Sequence, residues 1–408
     1  MRVTFICCPF KTSFGSYASS LKVAIEQQTG NSVQWIGSNC GCGDPIEKNR
    51  QFQIPQEQCG YFELPIFADT VSKIAWKRSL KSAARSVFLP MRGKRYAAMS
   101  QDAEVVHFQQ ILNAYGSQVV FTWLQQPSSA SRIVTVHELD ADQLQFPKRN
   151  AIYNLADAII VHCEEMRQHL IRLGVRPEKV HTVLYGVHLP ASAAFSSKAA
   201  AEPAEKSGIV FYGGHKLMSG KGLETLFKAM SILKREMPAS VPLLKIHGHY
   251  GTDTPQEALQ LATQYEIADR VVWLNQIPEE QAFSLYQQSL LCVLPYTGSF
   301  AGYAASLACA CRLPVVCTRK AGLPDHLGET AVWIDESSPE QLAARISELL
   351  NDEPRRRWVG EQLFKRAETL MHWDVIAGQT LKIYQASAHE KAGQDLQYEN
   401  EVSPRAVG

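Results

Sequence analysis

A chain of 408 residues is too long for one ordinary hydrophobic core, and two domains of roughly 150–200 residues each are expected. With 45% hydrophobic residues, 20% charged residues and a formal net charge of +1, the composition excludes a disordered chain and supplies no global field that would recruit nucleic acid. No run of about 20 apolar residues occurs and MRVTFICCPF at the start is too short for a signal core, so a cytoplasmic location is expected.

Short Val/Ile/Phe-rich runs alternate with helix-period segments along the whole chain, the pattern of parallel βα units. In the first half the strands read as Val3–Cys8, Val33–Ile36, Val105–Phe108, Ile133–Val136, Ala158–Val161 and Val180–Leu184. In the second half they read as Ile209–Tyr212, Leu243–His247, Val271–Leu274, Leu291–Leu294, Val315–Thr318 and Ala331–Ile334. The expected fold class is therefore α/β with two doubly wound, Rossmann-like parallel sheets. Residues 1–190 form the first domain and 208–372 the second, with an Ala/Ser/Pro-rich linker at 191–207. A helix over 373–389 follows the second sheet, and 390–408 reads as a disordered tail. Ligands of open parallel sheets bind beyond the carboxyl ends of the strands, so two facing sheets would share one cleft.

The ten cysteines lack zinc-type spacing. Cys7, Cys8, Cys163, Cys292 and Cys317 lie in apolar runs and read as reduced core residues. Cys40, Cys42 and Cys59, with no nearby histidine, read as loop thiols rather than a metal or disulfide site.

Two loops carry the chemistry of the second half. Tyr212-Gly213-Gly214-His215-Lys216-Leu217-Met218-Ser219-Gly220-Lys221-Gly222 runs from a strand into the helix of Leu223–Leu233. Its glycines let backbone approach an anion, and Lys216 and Lys221 can meet phosphate charge near a helix N-terminus. Taken alone it reads equally as a solvated βα loop, since neither GxGxxG nor GxxxxGK[ST] is present. Pro295-Tyr296-Thr297-Gly298-Ser299-Phe300-Ala301-Gly302 likewise leads from a strand into the Ala-rich helix Tyr303–Cys311, where small residues leave N–H groups open to a diphosphate or simply allow close packing.

These loops and their order resemble glycosyltransferase family 4, the glycogen-synthase-like retaining enzymes of the GT-B fold. The likeness spans roughly 1–390 and is strongest from Ile209 to Asp325. Gly214, Lys216 and Lys221-Gly222 match the family's glycine, basic residue and Lys-Gly pair, Pro295 matches the proline ending the donor-site strand, and Leu313-Pro314-Val315-Val316 and Ala321-Gly322-Leu323-Pro324-Asp325 match the segments that follow. Asp157–His162, Val183–Val187 and Met371-His372-Trp373 resemble further signposts, the last leading into a helix that crosses back to the first domain. The resemblance implies transfer of a sugar from a nucleotide diphosphate sugar to a glycan, lipid-linked or small-molecule acceptor, with retention, without metal and without a separate cofactor, as in polysaccharide biosynthesis. It places Gly214, His215, Ser299, Phe300, Ala301, Gly302, Tyr303 and Asn275 at the donor, and Lys216 and Lys221 at the departing phosphates.

One departure stands out. The family carries two glutamates eight positions apart for the donor sugar and ribose, and here Ser299 and Leu307 occupy those positions; Arg312 replaces a family glycine. A charge-assisted hydrogen bond contributes about 1.5–3 kcal/mol, so losing one should weaken donor binding roughly 10–100-fold.

In the first domain Pro9–Ser16 follows the opening strand, and Gly15 and Ser16 are assigned to the acceptor side; the bland alternative is a plain βα turn. His137, at the end of Ile133–Val136, matches an active-site histidine near the transferred sugar, whereas His107 inside its apolar strand reads as a satisfied core histidine. Asp140-Ala141-Asp142 could pass for a metal motif, but no metal is assigned. From Thr70 to Gln101 there is no acidic residue, while Lys73, Lys77, Arg78, Lys81, Arg85, Arg92, Lys94 and Arg95 accumulate among apolar residues. Such a segment is either a solvated face or a peripheral contact with the inner face of a membrane. Two rival readings remain: a non-catalytic sugar-nucleotide-binding scaffold, and a nucleotide-sugar epimerase using Glu138 or Asp325.

Overall fold

A computed structural model describes residues 1–7, 13–37, 94, 97–109, 122–126, 128–137, 153–190, 206–214, 217–218, 220–238, 240–248, 256–275, 277–298 and 302–402. The chain divides into two compact units, Met1–Val183 with Trp373–Gly408, and Leu184–His372.

The first unit contains β1 (Arg2–Cys7), α1 (Ser13–Gln27), β2 (Ser32–Gly37), β3 (Val105–Phe108), β4 (Ser131–Val136), β5 (Ala158–Val161), α2 (Glu164–Arg172) and β6 (Val180–Thr182). Its strands form one sheet in the order β2-β1-β3-β4-β5-β6, with every pairing parallel. Uninterrupted burial of β3 and β5 explains why they read as continuous apolar runs rather than alternating ones. In α2, Glu164 and Glu165 open the helix and His169 and Arg172 close it, which complements the helix dipole.

The second unit contains β7 (Ile209–Tyr212), α3 (Leu223–Glu236), β8 (Leu244–His247), α4 (Gln256–Gln264), β9 (Val271–Trp273), α5 (Glu279–Gln287), β10 (Leu291–Leu294), α6 (Tyr303–Ala310), β11 (Val315–Thr318), α7 (Leu323–Leu327), β12 (Val332–Ile334), α8 (Pro339–Asn351) and α9 (Glu353–Leu370). The sheet order is β12-β11-β10-β7-β8-β9, again wholly parallel. Leu223, Leu226, Phe227, Met230 and Leu233 recur at helical spacing and bury one face of α3. Cys292, Cys309, Cys311 and Cys317 are free and buried here, and Cys163 is buried in the first unit; the expectations for Cys7, Cys8, Cys40, Cys42 and Cys59 concern side chains outside the described residues.

Two boundaries differ from expectation. The first unit ends at Val183 rather than 190, because Tyr185 and Val187 are bound by the second unit: Val187 N donates to Met371 O at 2.9 Å, and Ser306 Oγ donates to Tyr185 O at 2.8 Å. The last helix, α10 (Trp373–Val402), continues well past 389. No proline interrupts 390–402, and Lys391 anchors the extension through Ala130 O at 2.7 Å and Asp157 Oδ2 at 3.3 Å. Earlier in α10, Tyr384 and Ser387 bond His107 and Ser131, so this helix belongs to the first unit although it follows the second in sequence. The linker at 191–207 lies outside the described residues except for Lys206 and Ser207.

Candidate functional site

In the second sheet the chain order reverses between β7 and β10, with β8 and β9 extending from one and β11 and β12 from the other. This is the switch point where an open α/β sheet presents a ligand crevice at the carboxyl ends of its strands. The two loops that leave it are bonded together. Thr297 N and Gly298 N both donate to Gly220 O, at 2.9 and 3.0 Å, and Tyr296 Oη donates to Tyr212 O at 2.9 Å. Gly222, at φ 69°, opens α3 so close to β10 that an added Cβ would overlap the Pro295 carbonyl oxygen and lie 2.9 Å from its carbon. Only glycine satisfies both the left-handed backbone and that approach.

Lys221 is 4% exposed, with Nζ 4.1 Å from the Tyr296 ring centroid and 5.5 Å from that of Tyr212. Facing aromatic rings attract an ammonium by about 0.5–2 kcal/mol, which offsets part of its desolvation. The ammonium also lies 3.6 Å from where a Gly214 side chain would begin, so the cation and the glycine turn share one place. The Tyr212 ring reaches Tyr303 as well, at 5.3 Å between centroids, which joins the first turn of α6 to the same cluster. Burial raises the Tyr303 phenol well above its ordinary value, keeping it a neutral hydrogen-bonding group.

Gly302 caps α6 at φ 89°, and His326 of α7 lies directly beneath it. Asn275 sits past β9 at φ 48°, where its carbonyl accepts from Gly248 N at 2.9 Å. His215, Lys216, Ser299, Phe300 and Ala301 lie outside the described residues. Leu307 does not: at 2% exposure it is part of the second unit's core.

In the first unit, Val136 and Val161 are in register across β4 and β5, so His137 and His162 leave the sheet side by side. Their rings meet at 2.8 Å between His137 Nδ1 and His162 Nε2, and His162 Nδ1 donates to Val183 O at 2.9 Å. Tyr17 stands edge-on to both rings. Burial, then the neighbouring His162 and His107, holds His137 well below the ordinary histidine range, outweighing the Gln109 carbonyl that favours its charged form. His107 is a satisfied core residue: Nδ1 meets Tyr384 Oη at 2.5 Å and Gln109 Nε2 at 3.1 Å, and Nε2 meets Thr135 Oγ1 at 2.6 Å. Gly15 and Ser16 fall in the first turn of α1, just after β1. Glu138, Asp140 and Asp142 lie outside the described residues, and among those described no cluster of three or more His, Cys, Asp or Glu residues is placed to hold a metal.

Sequence reading missed four partners. Tyr212 and Tyr296 were read only as members of the glycine-bearing loops, although strand-ending tyrosines flanking a lysine loop are a cue for a cation cage. His162 was passed over as a strand signpost, although two histidines ending adjacent parallel strands must be neighbours. His326 carried no local signal, since only the tertiary fold brings it under Gly302.

Two Rossmann-like units, with a terminal helix that returns to the first, define the GT-B class of fold. Sequence models of two families match consecutive parts of the chain: the glycosyl transferase 4-like domain over residues 43–186 and glycosyl transferases group 1 over residues 195–366. The chain belongs to the family 4 glycosyltransferases. Among its relatives, the D-inositol 3-phosphate glycosyltransferase of Corynebacterium diphtheriae is 28% identical over 56% of this chain and 56% of its own. That of Segniliparus rotundus is 24% identical over 84% of this chain and 74% of its own. The first three curated relatives are matched over only 56–60% of their length. The same fold occurs in sucrose-phosphate synthase of Thermosynechococcus elongatus, with TM-score 0.70, 21% identity, and 95% of this chain and 98% of that one covered. It also occurs in Anabaena HepE solved in complex with UDP, with TM-score 0.69, 14% identity, and 95% and 100% covered.

Proposed function

We propose that this chain transfers a sugar, with retention, from a nucleotide diphosphate sugar to an acceptor, and that the second unit holds the donor. The observation that carries the reading is the junction of the β7 and β10 loops around Lys221, at the switch point of a parallel sheet. Glycosyl transfer leaves negative charge on the departing diphosphate, so it needs a fixed cation and oriented N–H groups there. Lys221 supplies the cation, Gly214 and the Gly302 end of α6 supply backbone donors, and Lys216 is assigned a second charge from the family pattern. The complex of HepE with UDP supports a nucleotide donor by analogy of fold.

His137 is proposed to meet a hydroxyl of the transferred sugar or acceptor, and Gly15 and Ser16 to flank the acceptor. The acceptor class stays open among glycans, lipid-linked sugars and small molecules; the curated relatives are named for D-inositol 3-phosphate, a small polar one. No metal or separate cofactor enters this proposal. No helix among the described residues is long and apolar enough to cross a membrane. Peripheral contact through 70–101 is proposed, most of that segment lying outside the described residues, and liposome flotation at low salt tests it.

The test is a thermal-shift screen with uridine, guanosine and adenosine diphosphate sugars, followed by measurement of nucleoside diphosphate release with and without acceptor. One donor should raise the transition temperature, and release should depend on the acceptor. A chain that responds to none of the three donors is not this enzyme.

A further inference from the structure

We propose that His326 is a positioning residue for the phosphate end of the donor site, setting the N-terminus of α6 from beneath and tying it to the segment by which the chain enters the second unit. This rests on the donor reading above.

His326 is fully buried, and both of its ring nitrogens are engaged. Nδ1 lies 2.6 Å from Gly322 O and Nε2 lies 3.0 Å from Tyr185 N. A carbonyl can only accept and an amide N–H can only donate, so the ring is the neutral Nδ1–H tautomer. Burial, against the opposing pull of the Gly322 carbonyl, holds its pKa down to about 4. The ring's backbone is held too, since Arg366 of α9 donates to His326 O at 2.8 Å and to Asp325 O at 2.7 Å. The imidazole is therefore a wedge fixed at both nitrogens and at its own peptide.

What it wedges is Gly302. A Cβ added there would intrude on the His326 ring, 2.6 Å from Nδ1, so the ring occupies the space a side chain would take. With φ at 89°, Gly302 turns the chain into α6, and the direction of the first N–H groups of that helix follows from how the turn rests on the ring. The same ring reaches Tyr185, whose carbonyl accepts from Ser306 Oγ of α6 at 2.8 Å. Tyr185 is thus held by both of its backbone groups, one through α7 and one through α6. The two Tyr185 bonds and the Gly302 contact make one rigid block. Leucine would fill the volume but bind neither Gly322 nor Tyr185; glutamine carries a donor and an acceptor on one amide and can serve both.

The experiment compares UDP with uridine, which differ only in phosphate, by titration calorimetry on the wild type, His326→Leu and His326→Gln. For His326→Leu the UDP Kd should rise about tenfold while the uridine Kd changes less than twofold, and His326→Gln should recover most of the difference. UDP and uridine weakened equally, or UDP unaffected in a folded His326→Leu, would overturn the proposal. If His326→Leu does not fold, Gly302→Ala and Gly302→Ala/His326→Ala replace it. Removing the ring should restore part of the UDP affinity lost in Gly302→Ala, whereas additive losses would refute the coupling. Failure of the wild type to bind UDP, GDP or ADP counts against the donor reading itself, and is seen before any variant is made.

Discussion

Replacing Gly222 by alanine tests whether the β7 and β10 loops meet as described. The residue sits at φ 69°, and a left-handed backbone costs an L-residue about 1–2 kcal/mol. The new Cβ would also overlap the Pro295 carbonyl oxygen, which cannot yield without disturbing the loop whose Thr297 and Gly298 amides bond Gly220. Forced overpacking of that kind costs a further 1–3 kcal/mol or so, giving a total of about 2–5 kcal/mol. A unit of this size loses roughly 2–4 °C per kcal/mol, so its transition should fall by about 5–20 °C in scanning calorimetry. Gly174→Ala is the control, because Gly174 has φ +85° and nothing within 4 Å of its added Cβ, and so carries the backbone term alone. If Gly222→Ala costs no more than Gly174→Ala, the close approach of the two loops is wrong, and with it the geometry assigned to Lys221.

Three further outcomes follow from the same structure. Lys221→Ala should lower donor turnover by about 10²–10³-fold, as expected for loss of a fixed group at developing charge, and steady-state release of nucleoside diphosphate measures it. Burial holds His326 at about pKa 4, below the ordinary 6.5, so the unfolded chain takes up its proton first. The contribution is complete above pH 6.5 and shrinks by about 1.4 kcal/mol per unit as pH falls toward 4; denaturant titrations of His326→Gln between pH 6 and 5 should show a slope smaller by that amount. Asp157→Asn should destabilise the first unit by about 1–3 kcal/mol and hasten proteolysis beyond residue 390, because Asp157 Oδ2 receives Arg132 Nε at 3.1 Å and Lys391 at 3.3 Å.

The strand pattern was legible because parallel strands buried on both faces are written as bare apolar runs, and runs such as Val105–Phe108 and Leu291–Leu294 have no competing reading. Boundaries were less so. Leu184–Leu189 carries no mark of the unit it joins, since its partners, His326, Ser306 and Met371, are more than a hundred residues away in sequence. The α10 extension is polar enough to resemble a tail, and its Lys391 meets a carbonyl and a carboxylate that are distant in sequence, at Ala130 and Asp157. At the site, loop glycines and lysines announce themselves by type and spacing, whereas a supporting histidine or a tyrosine cage is defined only by what the fold brings beside it.

The family resemblance implies that this chain would place less negative charge around a donor than the family pattern does. By that resemblance the lysine and the glycine turns would be kept, while Ser299 and Leu307 would stand where the family places carboxylates; Leu307 itself is sealed in the core. A neutral or apolar side chain cannot replace a carboxylate that grips sugar and ribose hydroxyls, so recognition should shift toward the phosphates. UDP and UDP-sugars are then expected to bind within about threefold of one another, a difference under about 1 kcal/mol. A sugar moiety that tightens binding more than about tenfold would show that another group has taken over the missing contacts. In that case the Lys221 cluster alone would no longer account for how this chain holds its donor.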